Sequence, residues 1–139
     1  MKLVLDTNVL ISALLKSSAT RAILLHPSFE FFLPEFGLEE IRRHKPELRK
    51  RSGLTDEAID LLLSLLLERV AIVSATLIEP HLEHAKRLIG HRDPADIPFV
   101  AMALTITNDG LWTHDADFSH ITEIKIWNTS RLIDYLGRR

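Results

Sequence analysis

The stretch Lys2-Leu3-Val4-Leu5-Asp6-Thr7-Asn8-Val9-Leu10 decides how this chain folds. Lys2-Leu3-Val4-Leu5 is a short apolar run that reads as a strand. The run stops at Asp6-Thr7-Asn8, residues that favour helix caps and turns, and apolar residues continue from Val9 to Leu15 as a helix. A strand therefore leads through a carboxylate into a helix N-terminus. Outward from this unit the same alternation continues. Thr20 is expected to cap a helix over Arg21 to Leu25, and the aromatic-rich Phe29 to Leu33 reads as a second strand ended by Pro34. Helical spacing of Phe36, Leu38 and Ile41 starts at Glu35 and is expected to continue until Pro46 breaks or kinks it, because proline cannot donate a backbone hydrogen bond. Thr55 opens a helix running from Ala58 to Leu67. Its polar residues Glu57, Asp60, Ser64 and Glu68 form one narrow stripe, so this helix needs cover on most sides.

Val70 to Val73 is a third strand; Pro80 then starts a helix over His81 to Ile89, and Pro94 starts another over Asp96 to Ile106. The last of these is apolar enough to lie against a sheet. Leu111 to Thr113 and Ile124 to Trp127 are the fourth and fifth strands, and Thr129 or Ser130 caps a final helix ending near Leu136. Strands separated by helical segments imply right-handed crossovers. The expected fold is α/β, a single domain over residues 1–139 with a central parallel five-stranded sheet and helices on both faces.

Composition narrows the function. The chain has 139 residues, 46% hydrophobic and 26% charged, which suits one globular domain and excludes a disordered or collagen-like chain. It contains no cysteine, so a disulfide, a thiolate metal site and a cysteine nucleophile are excluded and any metal must be held by oxygen or imidazole. The net charge of −2 excludes a uniform polycation. Asp6 and Asn8 interrupt what would be a signal-peptide core, and Leu61 to Leu67 is far shorter than the ~20 residues of a membrane-spanning helix. The chain reads as cytoplasmic, with no membrane partner.

In an open parallel sheet the functional crevice lies at the carboxyl ends of the strands. Asp6 directly follows the first strand, and Asp115 and Asp117 lie just past the fourth. Asp93 and Asp96 flank Pro94 at a helix start, while Glu39 and Glu40 follow the second strand. Adjacent helical residues diverge by about 100°, so only one glutamate of that pair points into the crevice. Each acid alone has a plain explanation as a cap, an Asx turn or a solvated surface group. Several near one strand edge do not, because converging carboxylates repel and raise one another's pKa unless a cation neutralises them. Oxygen ligands in that number suit Mg²⁺ or Mn²⁺, and a carboxylate-held pair of ions is an arrangement used to clamp phosphodiester oxygens.

These residues resemble those of the PIN-domain ribonucleases, the fold shared by VapC-type toxins and several RNA-processing nucleases. The resemblance covers nearly the whole chain. It rests on Leu5-Asp6-Thr7-Asn8-Val9-Leu10, on Glu40 before Ile41, on Asp96 followed by Phe99-Val100-Ala101-Met102-Ala103, and on Thr113-x-Asp115-x-Asp117-Phe118. It implies that Asp6, Glu40, Asp96 and Asp115 are catalytic, metal-binding acids. Asp117 would be a further ligand, Asp93 accessory, and Asn8 and Thr113 orienting groups. Many toxin members carry Asn where this chain has Asp115, which would strengthen the role of Asp117. The choice of Glu40 over Glu39 and Asp96 over Asp93 comes from the family's pattern; spacing alone leaves both pairs open.

Arg42 to Arg51 carries six Lys or Arg against one Glu, a local +5 in a chain of −2. It is either a solvated helix face or, through Arg42, Arg43 and Lys45 immediately after Glu40, a contact for RNA phosphates. The run has no aromatic residue to stack bases. His81, His84 and His91 have spacing that can bind zinc, but they sit among charged residues without the usual four ligands. His114 reads as a loop histidine or a phosphate or water contact. Trp112 and Trp127 read as core, and the leucine-rich helix 58–67 as either buried or facing a partner copy in a homodimer. The expected function is a Mg²⁺- or Mn²⁺-dependent endoribonuclease, the toxin of a toxin–antitoxin pair with a cognate antitoxin. The alternatives are a PIN nuclease of RNA processing and a catalytically silent RNA- or protein-binding PIN-like module. A phosphoacceptor receiver domain is disfavoured, because Val73 is followed by Ser74-Ala75-Thr76 with no Asp ending the third strand.

Overall fold

The computed structural model describes residues 1–15, 18–89 and 92–138. Within them, β1 (Lys2–Leu5), β2 (Glu30–Pro34), β3 (Val70–Val73), β4 (Leu111–Trp112) and β5 (Ile126–Trp127) form an all-parallel sheet in the order β3-β2-β1-β4-β5. Leu3 to Leu5 on β1 are fully buried, as the unbroken apolar run requires of a central strand with both faces covered. The chain moves from β1 through β2 to β3 in one direction and then crosses to β4 on the other side of β1. The carboxyl ends of β1 and β4 therefore flank the point where strand order reverses.

Helices α1 (Thr7–Leu15) and α2 (Ser18–Leu24) connect β1 to β2, and α3 (Glu35–Arg43), α4 (Lys45–Ser52) and α5 (Asp56–Leu67) connect β2 to β3. Helices α6 (Ala75–Ile78), α7 (Leu82–Ile89) and α8 (Ile97–Thr105) lead to β4, and α9 (Thr129–Gly137) follows β5. Right-handed crossovers place the first group and the second on opposite faces. Accordingly α1 packs against α2, α3, α4 and α5, while α8 lies on β1, β2 and β4 together with α6 and α7. Helix α8 buries Phe99, Val100, Ala101 and Met102 in succession, which only a helix pressed against the sheet can do. Trp112 and Trp127 are core residues, and each places its indole N–H: Trp112 Nε1 donates to Thr129 Oγ1 at 3.2 Å and Trp127 Nε1 to the Asp109 carbonyl at 2.9 Å.

Several local expectations are corrected. The break expected at Pro46 falls at His44, which ends α3; Pro46 itself occupies the first turn of α4, where its missing N–H is harmless. Helices α4 and α6 are not expected from the sequence pattern. Thr20 is buried inside α2 and is not its cap, and α9 is capped by Asn128, whose Oδ1 accepts from Arg131 N at 2.8 Å. Pro80 and Pro94 each open a short 3₁₀ turn (Glu79–His81 and Pro94–Asp96) ahead of α7 and α8. Strand β5 starts at Ile126, because Ile124 is buried by packing without joining the ladder. Helix α5 is less covered than its apolar faces suggest: Ile59 and Leu66 are buried, but Leu61 is 64% and Leu65 48% exposed.

Candidate active site

The acids meet at the carboxyl edge of β1 and β4. Asp6 leaves the end of β1 and is 5% exposed, with its Oδ2 accepting a 2.6 Å hydrogen bond from Thr113 Oγ1 just past β4. Parallel pairing of Leu5 with Trp112 puts these two strand ends side by side, so the bond links residues 107 apart in sequence. Thr113 Oγ1 also accepts from Asp115 N at 3.0 Å, and Asp115 Oδ1 accepts from Asp117 N at 2.9 Å. The turn after β4 is thereby folded back so that Asp115 and Asp117 both face the crevice.

Glu40 enters from α3. Its Oε1 accepts from Thr7 Oγ1 at 2.8 Å, so the residue after Asp6 fixes the glutamate. Gly37, one turn earlier on α3, lets the helix approach: a Cβ there would stand 2.7 Å from Leu33 Cδ1 and 3.2 Å from Thr7 Oγ1. Sequence reasoning misses both Thr7 and Gly37. The polar Thr7 directly after the strand-end acid is the available signal, whereas Gly37 matters only through its neighbours in space.

Asp96 comes from the turn before α8. It is 7% exposed, and its Oδ2 is fully buried without a hydrogen-bond partner among the described residues. Carboxylate oxygens of Asp96, Asp115 and Asp117 can all lie within 4.8 Å of one another, close enough for a single cation to bridge them. Asp93 instead caps the turn, its Oδ1 accepting from Ala95 N at 3.0 Å. Asn8 Oδ1 accepts from His114 N at 3.4 Å, and Arg92 Nη1 stands 3.4 Å from Asp117 Oδ1.

The charges report the crowding. Burial above all pushes the Asp96 carboxyl up to about 7, with the charges of Asp6, Asp93, Asp115 and Asp117 adding to the rise. Burial likewise pushes Asp6 up to about 6; Glu40 and Asp115 reinforce the shift, and the hydrogen bonds from Thr113 Oγ1 and Thr7 N oppose it. Glu40 is raised by burial, against the lowering influence of Thr7, Arg43 and His44, with Asp93 adding to the rise. Asp6, Glu40, Asp96, Asp115 and Asp117 are thus one electrostatic unit, with Asp96, Asp115 and Asp117 at its tightest point.

The other candidates lie farther out. Lys45 pairs with Asp60 at 2.7 Å, and Arg43 lies over the Phe36 ring at 5.5 Å, while the exposed Arg42 lies in the last turn of α3 past Glu40. His81 shares a hydrogen bond with Thr105, and among the described residues no histidine joins a metal-ligand group. His91 lies outside those residues. Thr129 Oγ1 accepts from Trp112 Nε1 and shares a 2.8 Å hydrogen bond with His114 Nε2. Burial holds His114 below the usual histidine range.

A doubly wound parallel sheet with a carboxylate cluster at its switch point defines the class: an α/β protein with its acids gathered at the carboxyl edge of the sheet. The family model described as "PIN domain" matches residues 4–137, and the chain belongs to that family. No curated protein sequence matches the chain. Among solved structures, the crystal structure of VapBC2 from Rickettsia felis bound to a DNA fragment from their promoter contains a chain that is similar with a TM-score of 0.72 and 16% identity, over 92% of this chain and 98% of that one. At that identity the likeness is one of fold.

Proposed function

We propose that residues 1–139 form one divalent-metal-dependent endoribonuclease domain, the toxin of a toxin–antitoxin pair. The observation that carries this is Asp96: a buried carboxylate with an unpartnered oxygen, grouped with two further carboxylates, costs the folded protein free energy that a cation would recover. The donor set is oxygen only, which fits Mg²⁺ or Mn²⁺. Asp96, Asp115 and Asp117 would hold the ion, with Asp6 and Glu40 completing the site. When bound, the ion supplies Lewis acidity at the phosphodiester and neutralises charge on the leaving 3′ oxygen.

The chain's own residues do the rest. Thr113 holds Asp6 in one rotamer and the Asp115 backbone in place with the same hydroxyl. Thr7 orients Glu40 in the same way, and Asn8 ties the backbone of His114 to the first turn of α1. Asp96 must be deprotonated to act as a ligand, which its elevated pKa delays to near neutrality. Arg42, Arg43 and Lys45 would draw the RNA backbone to the edge beside Glu40. The fold shared with a chain of the VapBC2 structure, together with the family membership, supports the toxin role and an antitoxin partner. The exposed Leu61 and Leu65 of α5 support a homodimer. Incubation of purified protein with single-stranded RNA tests the nuclease: cleavage is expected with Mg²⁺ or Mn²⁺ and not with EDTA, and Asp96→Asn should be inactive while folded. Undiminished cleavage in EDTA would overturn it.

A further inference from the structure

Beside the acids, between the turn after β4 and the start of α9, lies a cavity of about 470 Å³, within the size range of small-ligand pockets. It begins at Thr113 and Asp115, so it is continuous with the acid cluster. Its floor is apolar, built from Ile121 and Ile124, which are almost wholly buried, with Ile126 beside them. Its rim carries His114, Asn128 and Arg131.

The rim groups are fastened, and Arg131 and Asn128 are fastened in ways that leave donors over. Arg131 donates through Nη1 to the Ile126 carbonyl, and its guanidinium lies over the Trp127 ring, 5.0 Å from the centroid. Its other N–H groups have no acceptor among the described residues. Asn128 spends its Oδ1 on capping α9, which leaves the Nδ2 amide hydrogens unengaged among those residues. His114 Nε2 shares a hydrogen bond of 2.8 Å with the Thr129 hydroxyl, which holds the ring at the rim.

We infer that this cavity is a nucleobase subsite for the nucleotide next to the scissile phosphate, and that its donor-lined rim favours a base with acceptors on its edge, guanine over adenine. The inference rests on the nuclease reading for the position of the phosphate. A flat apolar ring suits the isoleucine floor, and the sugar-phosphate would run from it directly to Asp115. Guanine presents O6 and N7 as neighbouring acceptors to Arg131 and Asn128, whereas adenine would set its N6 amino group against donors.

The test is binding by NMR with isoleucine δ-methyl labels, with EDTA present throughout, so that no cleavage or metal is needed. GMP should shift the Ile121, Ile124 and Ile126 methyls and bind about tenfold or more tighter than AMP, the discrimination expected of a well-placed donor pair. Arg131→Ala should reduce that ratio toward unity. Asn128→Asp keeps the cap, because Asp caps as well as Asn, but replaces the donor by an acceptor, so the ratio should fall or invert without loss of the fold. Shifts by inorganic phosphate equal to those by GMP, no methyl shift with any nucleotide, or an unchanged ratio in both variants would each overturn the subsite. Metal-dependent cleavage without such shifts would leave the nuclease standing and remove the subsite; guanine-selective binding without any cleavage would do the reverse.

Discussion

Thr113 donates its hydroxyl hydrogen to Asp6 Oδ2 at 2.6 Å and accepts from Asp115 N at 3.0 Å, so one side chain joins the carboxylates of two strand ends. Thr113→Val has nearly the same shape but removes both bonds. It should leave Asp6 less favourable as an anion, weaken Mn²⁺ binding by about 10–100-fold as outer-shell losses do, and cost about 1–3 kcal/mol of stability. Thr113→Ser should restore most of both. Calorimetric Mn²⁺ titration of the three proteins checks this, and equal affinities would refute it.

Gly37→Ala should act at a distance. The added methyl meets Leu33, which is fully buried and cannot swing aside, and approaches Thr7 Oγ1, the donor to Glu40. Overpacking of this kind costs about 1–3 kcal/mol. Urea unfolding should show that loss, and metal affinity should fall with it because α3 carries Glu40. A variant as stable as wild type would show that α3 can retreat without strain.

The pH dependence of the metal-free protein follows from the same crowding. Asp6 and Asp96 have folded-state pKa values of about 6 and about 7, above the ordinary aspartate value of 3.8. Between those values the folded state binds more protons than the unfolded state, so stability falls as pH rises. The penalty is absent below about pH 4, develops through the folded pKa values, and is complete above about pH 7. In EDTA the melting temperature should therefore fall by several degrees from about pH 5 to about pH 7.5. Saturating Mn²⁺ should flatten or reverse the slope, because ion binding requires the deprotonated ligands. A metal-free melting temperature that rises over this interval would contradict the assigned crowding.

The basic run can be tested through salt. Charge reversal at Arg42 and Arg43 should weaken RNA binding and lower the log–log salt slope by roughly 0.7 for each phosphate that is no longer neutralised. Reversal at Lys45 should do less, because Asp60 already holds its ammonium group at 2.7 Å. Equal effects at all three positions would show that the Lys45–Asp60 pair opens on RNA; no change in slope at any of them would leave the run a solvated face.

What the sequence made legible was whatever depends on local pattern. The unbroken apolar run Leu3 to Leu5, the strand-end Asp6 and the apolar helix after Asp96 all follow from rules that span a few residues, and all stand where those rules place them. Pro46 marks the break without placing it, because proline ends one helix and begins another with equal chemistry; only the presence of α4 decides which. Thr7, Gly37 and the Asp96–Asp115–Asp117 grouping act between elements far apart in sequence, which no local spacing contains. The choice of Glu40 over Glu39 comes from the family's pattern; the structure adds that Glu40 accepts a hydrogen bond from Thr7.

Asp6→Asn separates a metal ligand from a helix cap. Asp6 sits immediately before α1, where a cap would sit, and Asn caps as well as Asp. If capping were its whole role, wild type and variant would melt together with and without metal. As a member of the carboxylate cluster, Asp6 adds a buried charge that raises Asp96 and is itself raised by Glu40 and Asp115. Asn removes that charge while its amide oxygen still accepts from Thr113, so at about pH 7.5 in EDTA the variant should melt higher than wild type. Mn²⁺ should invert the order. A ligand bound only by the folded state stabilises it by RT ln(1 + [L]/Kd), about 2.7 kcal/mol at a hundredfold excess over Kd, and the variant with its weakened site should gain much less. The two melting curves should therefore cross as Mn²⁺ is raised; curves that coincide at every concentration would reduce Asp6 to a cap.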